Sequence, residues 1–233
     1  MNIFKLIFNL LLPAHCLICG RELFYYEKHF CLQCYADMPL TYFWETTTSA
    51  AEKAFWGRCY IEKVYCLLIY TTSYRKPIHY LKYKGNTPVG LYLGEMLGKK
   101  ISLTTVKNNT TITHLVPVPL HWRKKLKRGY NQSEIIAEGI LKGMNHKPTI
   151  IPNLLIRKAF TKTQTKKERV DRWHNVKDAF TLNKRSAKSI TTADHILLID
   201  DVLTTGATLE ACAAILVKEL GCRVSIATLA YVE

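Results

Sequence analysis

The sequence is short of acidic residues: 18 Asp and Glu stand against 33 Lys and Arg, a formal charge of +15 over 233 residues. That excess points to an anionic partner, although charge alone does not separate nucleic acid from a phosphorylated metabolite or a membrane surface. It also lacks a long apolar run. The nearest approach, NIFKLIFNLLL at 2–12, is too short to cross a bilayer. A small-residue cleavage site is missing as well, because Pro13-Ala14-His15 places His directly before Cys16, which argues against a signal peptide and a lipoprotein-type site. Internal repeats and low-complexity stretches are absent, and 48% hydrophobic with 22% charged residues excludes a disordered chain.

What is present suits one sizeable α/β core plus a small module. Ile3, Phe4, Ile7, Leu10 and Leu11 recur at helical spacing, so a short amphipathic helix is expected to pack on the next module. The chain reads as cytoplasmic, a reducing setting in which clustered cysteines hold metal more often than they form disulfides. Cys16-Leu-Ile-Cys19 and Cys31-Leu-Gln-Cys34 are two such knuckles. Each offers two thiolates from one tight turn, and together they complete a closed tetrahedral cage for a structural Zn2+. A redox pair needs no second matched pair, and with four sulfurs available His15 and His29 are expected to be bystanders. Cys59, Cys66, Cys212 and Cys222 have no paired spacing and are expected to be small core residues.

Further along, residues 46–58 read as a connector with aromatics nearby. A β-rich stretch follows from Cys59, then helical patterns at Lys76–Lys84 and Val89–Lys100 separated by Gly85-Asn86. His114–Leu120 is a short apolar strand ending in prolines; a basic loop and a helix from Gln132 to Met144 come next. The segment from Thr149 is extended, and 157–189 reads as a long loop or hairpin. The carboxyl-terminal pattern is strand His195–Ile199, loop, helix Thr208–Leu220, strand Arg223–Tyr231. Strands alternating with helices imply a parallel sheet covered on both faces.

Ile196–Thr208 carries most of the chemistry. Four apolar residues form a buried strand, Asp200 and Asp201 stand at its carboxyl end, and Thr204, Thr205, Gly206, Ala207 and Thr208 lead into a helix. Ligands bind at that place on open α/β sheets. Gly206 allows close backbone approach, loop N–H groups and the helix N-terminus attract phosphate, and the hydroxyls add donors. Adjacent carboxylates suit a ribose diol, so the segment describes a sugar 5-phosphate site. The loop lacks the Lys of a P-loop and the glycine spacing of a dinucleotide fold.

This segment resembles the phosphoribosyl pyrophosphate (PRPP) signature of type I phosphoribosyltransferases. With Val116-Pro-Val-Pro-Leu, Arg128-Gly-Tyr-Asn-Gln-Ser133, Thr163-Gln164, Arg169, Arg172, Asn175, Ala179-Phe180, the His79–Gly85 segment and the four-Cys module, the chain resembles the ComF family of competence proteins. The resemblance implies a type I phosphoribosyltransferase-like α/β fold at 59–233 behind a zinc module at 1–45. It implies PRPP bound with Mg2+, with Asp200 and Asp201 as the catalytic acids that orient the ribose. A loop at 157–180 would close over the ligand, and acceptor specificity would lie in a hood formed by 59–100 and the zinc module. Arg123, Lys124, Lys125, Lys127 and Arg128 are candidates to contact pyrophosphate, the alternative being a solvated loop.

The resemblance also implies a competence factor. Its partners would be single-stranded DNA and DNA-uptake helicase or recombination-mediator proteins, and Trp122, Tyr130 and Trp173 are candidates to stack on bases. An active enzyme transferring ribose 5-phosphate to an unidentified nitrogen acceptor is the second reading. One pocket and one neighbouring surface accommodate both.

Overall fold

The computed structural model describes residues 14–158 and 179–233. The expected amphipathic helix at 2–12, and Thr163, Gln164, Arg169, Arg172, Trp173 and Asn175, lie outside the described residues. Seven strands are present among the described residues: β1 (Val64–Ile69), β2 (His114–Pro117), β3 (Thr149–Ile150), β4 (Leu155–Arg157), β5 (Phe180–Leu182), β6 (His195–Leu203) and β7 (Arg223–Tyr231). Five of them form one sheet in the order β1-β7-β6-β2-β3, every pair parallel.

The central strands are apolar over both faces, as a doubly covered parallel sheet requires. Side chains along the strands divide between two cores, alternating over most of their length. Tyr65, Leu67, Leu115, Leu197, Ile199 and Leu229 enter one; Val64, Cys66, Val116, Ile196, Leu198 and Ile226 enter the other. The first core is covered by α3 (Arg75–Tyr83), α4 (Thr87–Lys107) and α6 (Gln132–Gly143), with α1 (Leu32–Ala36) of the cysteine module beside them. The second is covered by α7 (Ala207–Leu220) and by α2 (Ala50–Lys53) with its flanking chain.

Helices α4 and α6 meet along glycines. A Cβ on Gly94 would stand 2.6 Å from the Ile136 carbonyl oxygen, and one on Gly143 would collide with that of Glu95. The two backbones are in contact, so no side chain larger than hydrogen fits between them.

Several elements depart from the sequence expectation. The basic stretch expected as a loop is a helix, α5 (Trp122–Arg128), capped by the His121 ring and closed by Gly129 at φ 81°. Lys and Arg are good helix formers, and the charge hid that propensity. Helix α4 runs to Lys107 rather than Lys100, because burial of Ile101, Ser102, Thr104 and Thr105 overrides the weak helix preference of β-branched residues. Strand β6 continues past Ile199 through both aspartates to Leu203, since β7 is long enough to pair it as far as Leu203 with Tyr231. The extended segment after Thr149 divides at Pro152: β3 joins the sheet, while β4 leaves it and pairs antiparallel with β5.

Residues 46–58 are packed chain. Ser49 and Glu52 make a reciprocal capping box on α2, and Phe55 is fully buried. The tail of the cysteine module covers the β1 edge, with Ile69 N–H donating to Pro39 O (2.8 Å) and Thr41 N–H to Leu67 O (3.1 Å). An open strand edge is thereby closed within the chain.

Candidate phosphoribosyl diphosphate site and cysteine centre

Three elements converge on the carboxyl end of β6. The first is the strand itself, which brings Asp200 and Asp201. The second is the N-terminus of α6. Asn131 caps it, its Oδ1 accepting from Ser133 N–H (3.1 Å) while its Nδ2 donates to Val118 O (3.0 Å), which anchors the helix start to the chain leaving β2. Ser133 and Gln132 are buried there and reach the acids: Ser133 Oγ donates to Asp200 Oδ1 (3.1 Å), and Gln132 Nε2 to Asp201 Oδ2 (2.9 Å). The third is the end of α3, from which Lys82 Nζ pairs with Asp201 Oδ1 at 2.8 Å.

The two carboxylates have different surroundings. Asp201 is buried between a cation and an amide. Asp200 is partly buried, and desolvation, then the neighbouring Asp201 charge, raise its carboxyl to about 7; the Asp201 N–H, Lys82 and Ser133 only partly offset this. Near neutrality Asp200 therefore exchanges a proton easily.

Beyond β6 the chain turns through Thr204 and Thr205, both exposed, to Gly206 at φ 75°, which starts α7 without a side-chain cap. Gly206 is backed by the Phe55 ring, 3.1 Å from where a Cβ would stand. Both the left-handed backbone and the ring select glycine. Ala207 and Thr208 open α7, whose first turn presents its N–H groups beside the threonine hydroxyls. A carboxylate pair and an uncapped helix start therefore lie side by side, the arrangement expected for a sugar phosphate.

Of the five basic residues singled out from the sequence, three converge. Lys124, Lys127 and Arg128 line a cavity of about 240 Å³ together with Lys82, Tyr83 and Tyr130. The Arg128 guanidinium lies over the Tyr83 ring at 5.0 Å. Lys125 instead approaches Glu134 (3.5 Å), and Arg123 lies over Trp122 at 5.2 Å. Trp122 is 51% exposed and stacks on His121. Tyr130 is not an open stacking surface: it packs against the core, and its hydroxyl donates to Leu81 O.

Sequence reasoning missed Lys82, Gln132 and Ser133 as partners of the acids. Gln132 and Ser133 carried a signal, two polar residues opening an apolar helix behind an Asn cap. Lys82 carried only its place in the His79–Gly85 segment, which gives no hint of an aspartate partner, since only tertiary packing brings α3 to β6.

The second centre is the cysteine cluster. The sulfurs of Cys16, Cys19, Cys31 and Cys34 all lie within 4.8 Å of one another, three of them buried. Gly20, at φ 78°, turns the first knuckle and donates to Cys16 O; Cys31 caps α1. Burial would raise the Cys16 thiol, but N–H groups of Cys19, Cys31 and Ile18 outweigh it and bring it down to about 6. Burial and the neighbouring sulfurs push Cys34 up. Such crowding suits a dication that takes all four sulfurs as thiolates, and the donor set fits a metal such as zinc. His15 and His29 stand outside this set; His29 packs against Tyr92. Cys66, Cys212 and Cys222 are buried and Cys59 is half-buried.

Comparison with known proteins agrees with this geometry. Residues 131–233 match the phosphoribosyl transferase domain, a span that begins at the α6 cap and includes both aspartates and the α7 loop. The chain is 27% identical to competence protein F of Haemophilus influenzae over 208 residues, 88% of this chain and 79% of that protein. It is also 34% identical over 105 residues to competence protein ComFC of Bacillus subtilis, covering 45% of this chain and 38% of that one. A DNA utilization protein of Salmonella typhi is 24% identical over 156 residues, 65% of this chain and 66% of its own length. The chain thus joins a segment that matches the phosphoribosyl transferase domain to a four-cysteine cluster. No helix among the described residues is long and apolar enough to cross a membrane.

Proposed function

We propose that this ComF-like protein binds PRPP and acts in DNA uptake. One observation carries the first half: two adjacent carboxylates at a strand end lie between an uncapped Gly206 helix start and a cavity lined by Lys124, Lys127 and Arg128. The 5-phosphate sits on residues 204–208, the ribose hydroxyls donate to Asp200 and Asp201, and the diphosphate faces the cations. Asp200 and Asp201 with the diphosphate oxygens are the groups that hold Mg2+. That ion supplies positive charge to the diphosphate when bound. Zn2+ on Cys16, Cys19, Cys31 and Cys34 is structural, since four thiolates leave no open position.

The DNA-uptake half rests on likeness to competence and DNA utilization proteins, together with the +15 charge. Single-stranded DNA lies on the α5 surface, where exposed lysines meet phosphates and Trp122 stacks on a base. DNA-uptake helicase or recombination-mediator proteins are the protein partners of this reading, in the cytoplasm.

The cationic cavity beside the acids favours a second reading, an active transferase. The anomeric C–O bond breaks, its electron pair leaves with the diphosphate, and an acceptor nitrogen attacks and then loses its proton. Lys124, Lys127 and Arg128 stabilise the charge on the leaving group, and the aspartates hold the ring. Release of pyrophosphate from PRPP in the presence of nitrogen acceptors is the readout for turnover.

Calorimetric titration with PRPP and Mg2+ tests the common core. Binding should weaken at least tenfold in Asp200→Ala and in Asp201→Ala, with the fold retained by circular dichroism. Unchanged affinity in both variants removes the assignment.

A further inference from the structure

Lys82 stands where the two halves of this cleft meet. Its ammonium pairs with Asp201 Oδ1 at 2.8 Å, and the same side chain lines the cavity of about 240 Å³ shared with Lys124, Lys127 and Arg128. Among the described residues no acidic one lines that cavity, so four cations repel one another across it. Arg128 Nη1 is buried there without a hydrogen-bond partner. A buried charged donor left unmet is costly, and an entering anion removes that cost. On the other side of Lys82, both oxygens of Asp201 are already engaged by the protein, Oδ1 by Lys82 and Oδ2 by Gln132 Nε2. Gln132 Oε1, meanwhile, is buried and unpartnered, an acceptor beside the place where hydroxyl donors are expected. The cleft therefore joins a cation-lined cavity to a carboxylate that the protein itself engages, with one lysine belonging to both.

We propose that Lys82 is a positioning residue that couples diphosphate entry to sugar capture. The Lys82 side chain is 23% exposed, and its four-carbon stem is flexible enough to turn its head between neighbouring acceptors. A diphosphate brings several negative charges against the single charge of Asp201, so it draws the ammonium off the carboxylate and into the cavity. Asp201 Oδ1 is then free to accept from a sugar hydroxyl. Because binding linkage is reciprocal, a sugar phosphate bound at Asp201 favours diphosphate by the same factor. The device selects ligands that carry both halves, a phosphorylated sugar with its own diphosphate. This inference rests on the PRPP reading.

The test separates the two halves with inorganic pyrophosphate and ribose 5-phosphate, titrated calorimetrically into the whole protein with Mg2+ present, each alone and with the other saturating. In the unaltered protein, pyrophosphate should tighten ribose 5-phosphate about five- to tenfold, and the reverse titration should return the same factor. The factor should fall to about one in Lys82→Met and persist in Lys82→Arg, which keeps the charge. Lys82→Gln keeps a donor toward Asp201 without the charge; it too should lose coupling, and it serves if Lys82→Met fails to fold. A purely structural lysine shifts the thermal midpoint and leaves the coupling factor unchanged. If the unaltered protein binds PRPP and both fragments but shows no coupling, or if coupling survives in a folded Met or Gln variant, the inference is overturned while the PRPP reading stands. If it binds neither PRPP nor ribose 5-phosphate, the reading of the site itself fails, and this inference with it.

Discussion

Asp200 titrates near neutrality because desolvation and the adjacent Asp201 charge both oppose its ionisation. A carboxyl raised in the folded state adds stability that is fully present below its unfolded value near 4 and is lost as pH rises through about 7. Asp200→Asn removes that loss. Its unfolding free energy should exceed that of the unaltered protein by an amount that widens between pH 4 and 7 and then levels off, on the order of 4 kcal/mol at pH 8, and its thermal midpoint should rise with it. Midpoints measured across that range check the sign, and a variant that is less stable at pH 8 contradicts the raised carboxyl. PRPP binding near pH 7 should also release a proton, because ribose donors favour the carboxylate. Titration heats should then depend on the buffer's ionisation enthalpy in the unaltered protein and lose part of that dependence in Asp200→Asn.

At the scale of elements, the α4–α6 seam sets where the site partners stand. Gly94, Gly139 and Gly143 let two backbones touch, and α6 carries Gln132 and Ser133 at its far end. Gly143→Ala forces the helices apart and should cost about 1–3 kcal/mol, read from denaturant unfolding. Leu103→Ala, at an exposed position on α4, should change stability by less than about 0.5 kcal/mol. Helix α5 bears a different prediction. Replacing Lys124, Lys125 and Lys127 by Ala should weaken single-stranded DNA binding about equally across sequences and flatten its salt slope, because phosphate contacts carry no base identity. Retained DNA affinity at low salt in that folded variant would move the DNA surface off α5.

The whole molecule ties the cysteine module to the sheet. Tyr74 Oη donates to Cys34 O (2.8 Å), Lys76 Nζ to Ile18 O (2.6 Å), and the module's tail completes the β1 edge. Metal removal should therefore lower the stability of the entire chain in one cooperative transition. Metal analysis should find about one zinc per chain, and calorimetry with a strong chelator should shift a single peak downward by several degrees. Two separable peaks would show that the module folds independently.

Residues whose chemistry is local were legible in the sequence. The clustering of the two Cys knuckles could be read because each turn is four residues long, and the strand, turn and helix that carry Asp200, Asp201 and residues 204–208 because they follow one another directly. The sheet class could be read because apolar strands alternated with helical periodicity. What tertiary structure alone decided lies between distant segments. Lys82 reaches Asp201 across 119 positions of chain, a separation that no periodicity encodes. Strand β6 extends through its aspartates because β7 offers hydrogen bonds that far, and the Lys124, Lys127 and Arg128 cluster becomes a cavity wall because α5 is a helix lying beside α3. Short-range patterns fix turns, caps and strand faces through geometry internal to a few residues. An ion pair between a helix and a strand, such as Lys82 with Asp201, depends on how the helices pack on the sheet and on the register of its parallel strands, which exist only once the whole core has formed.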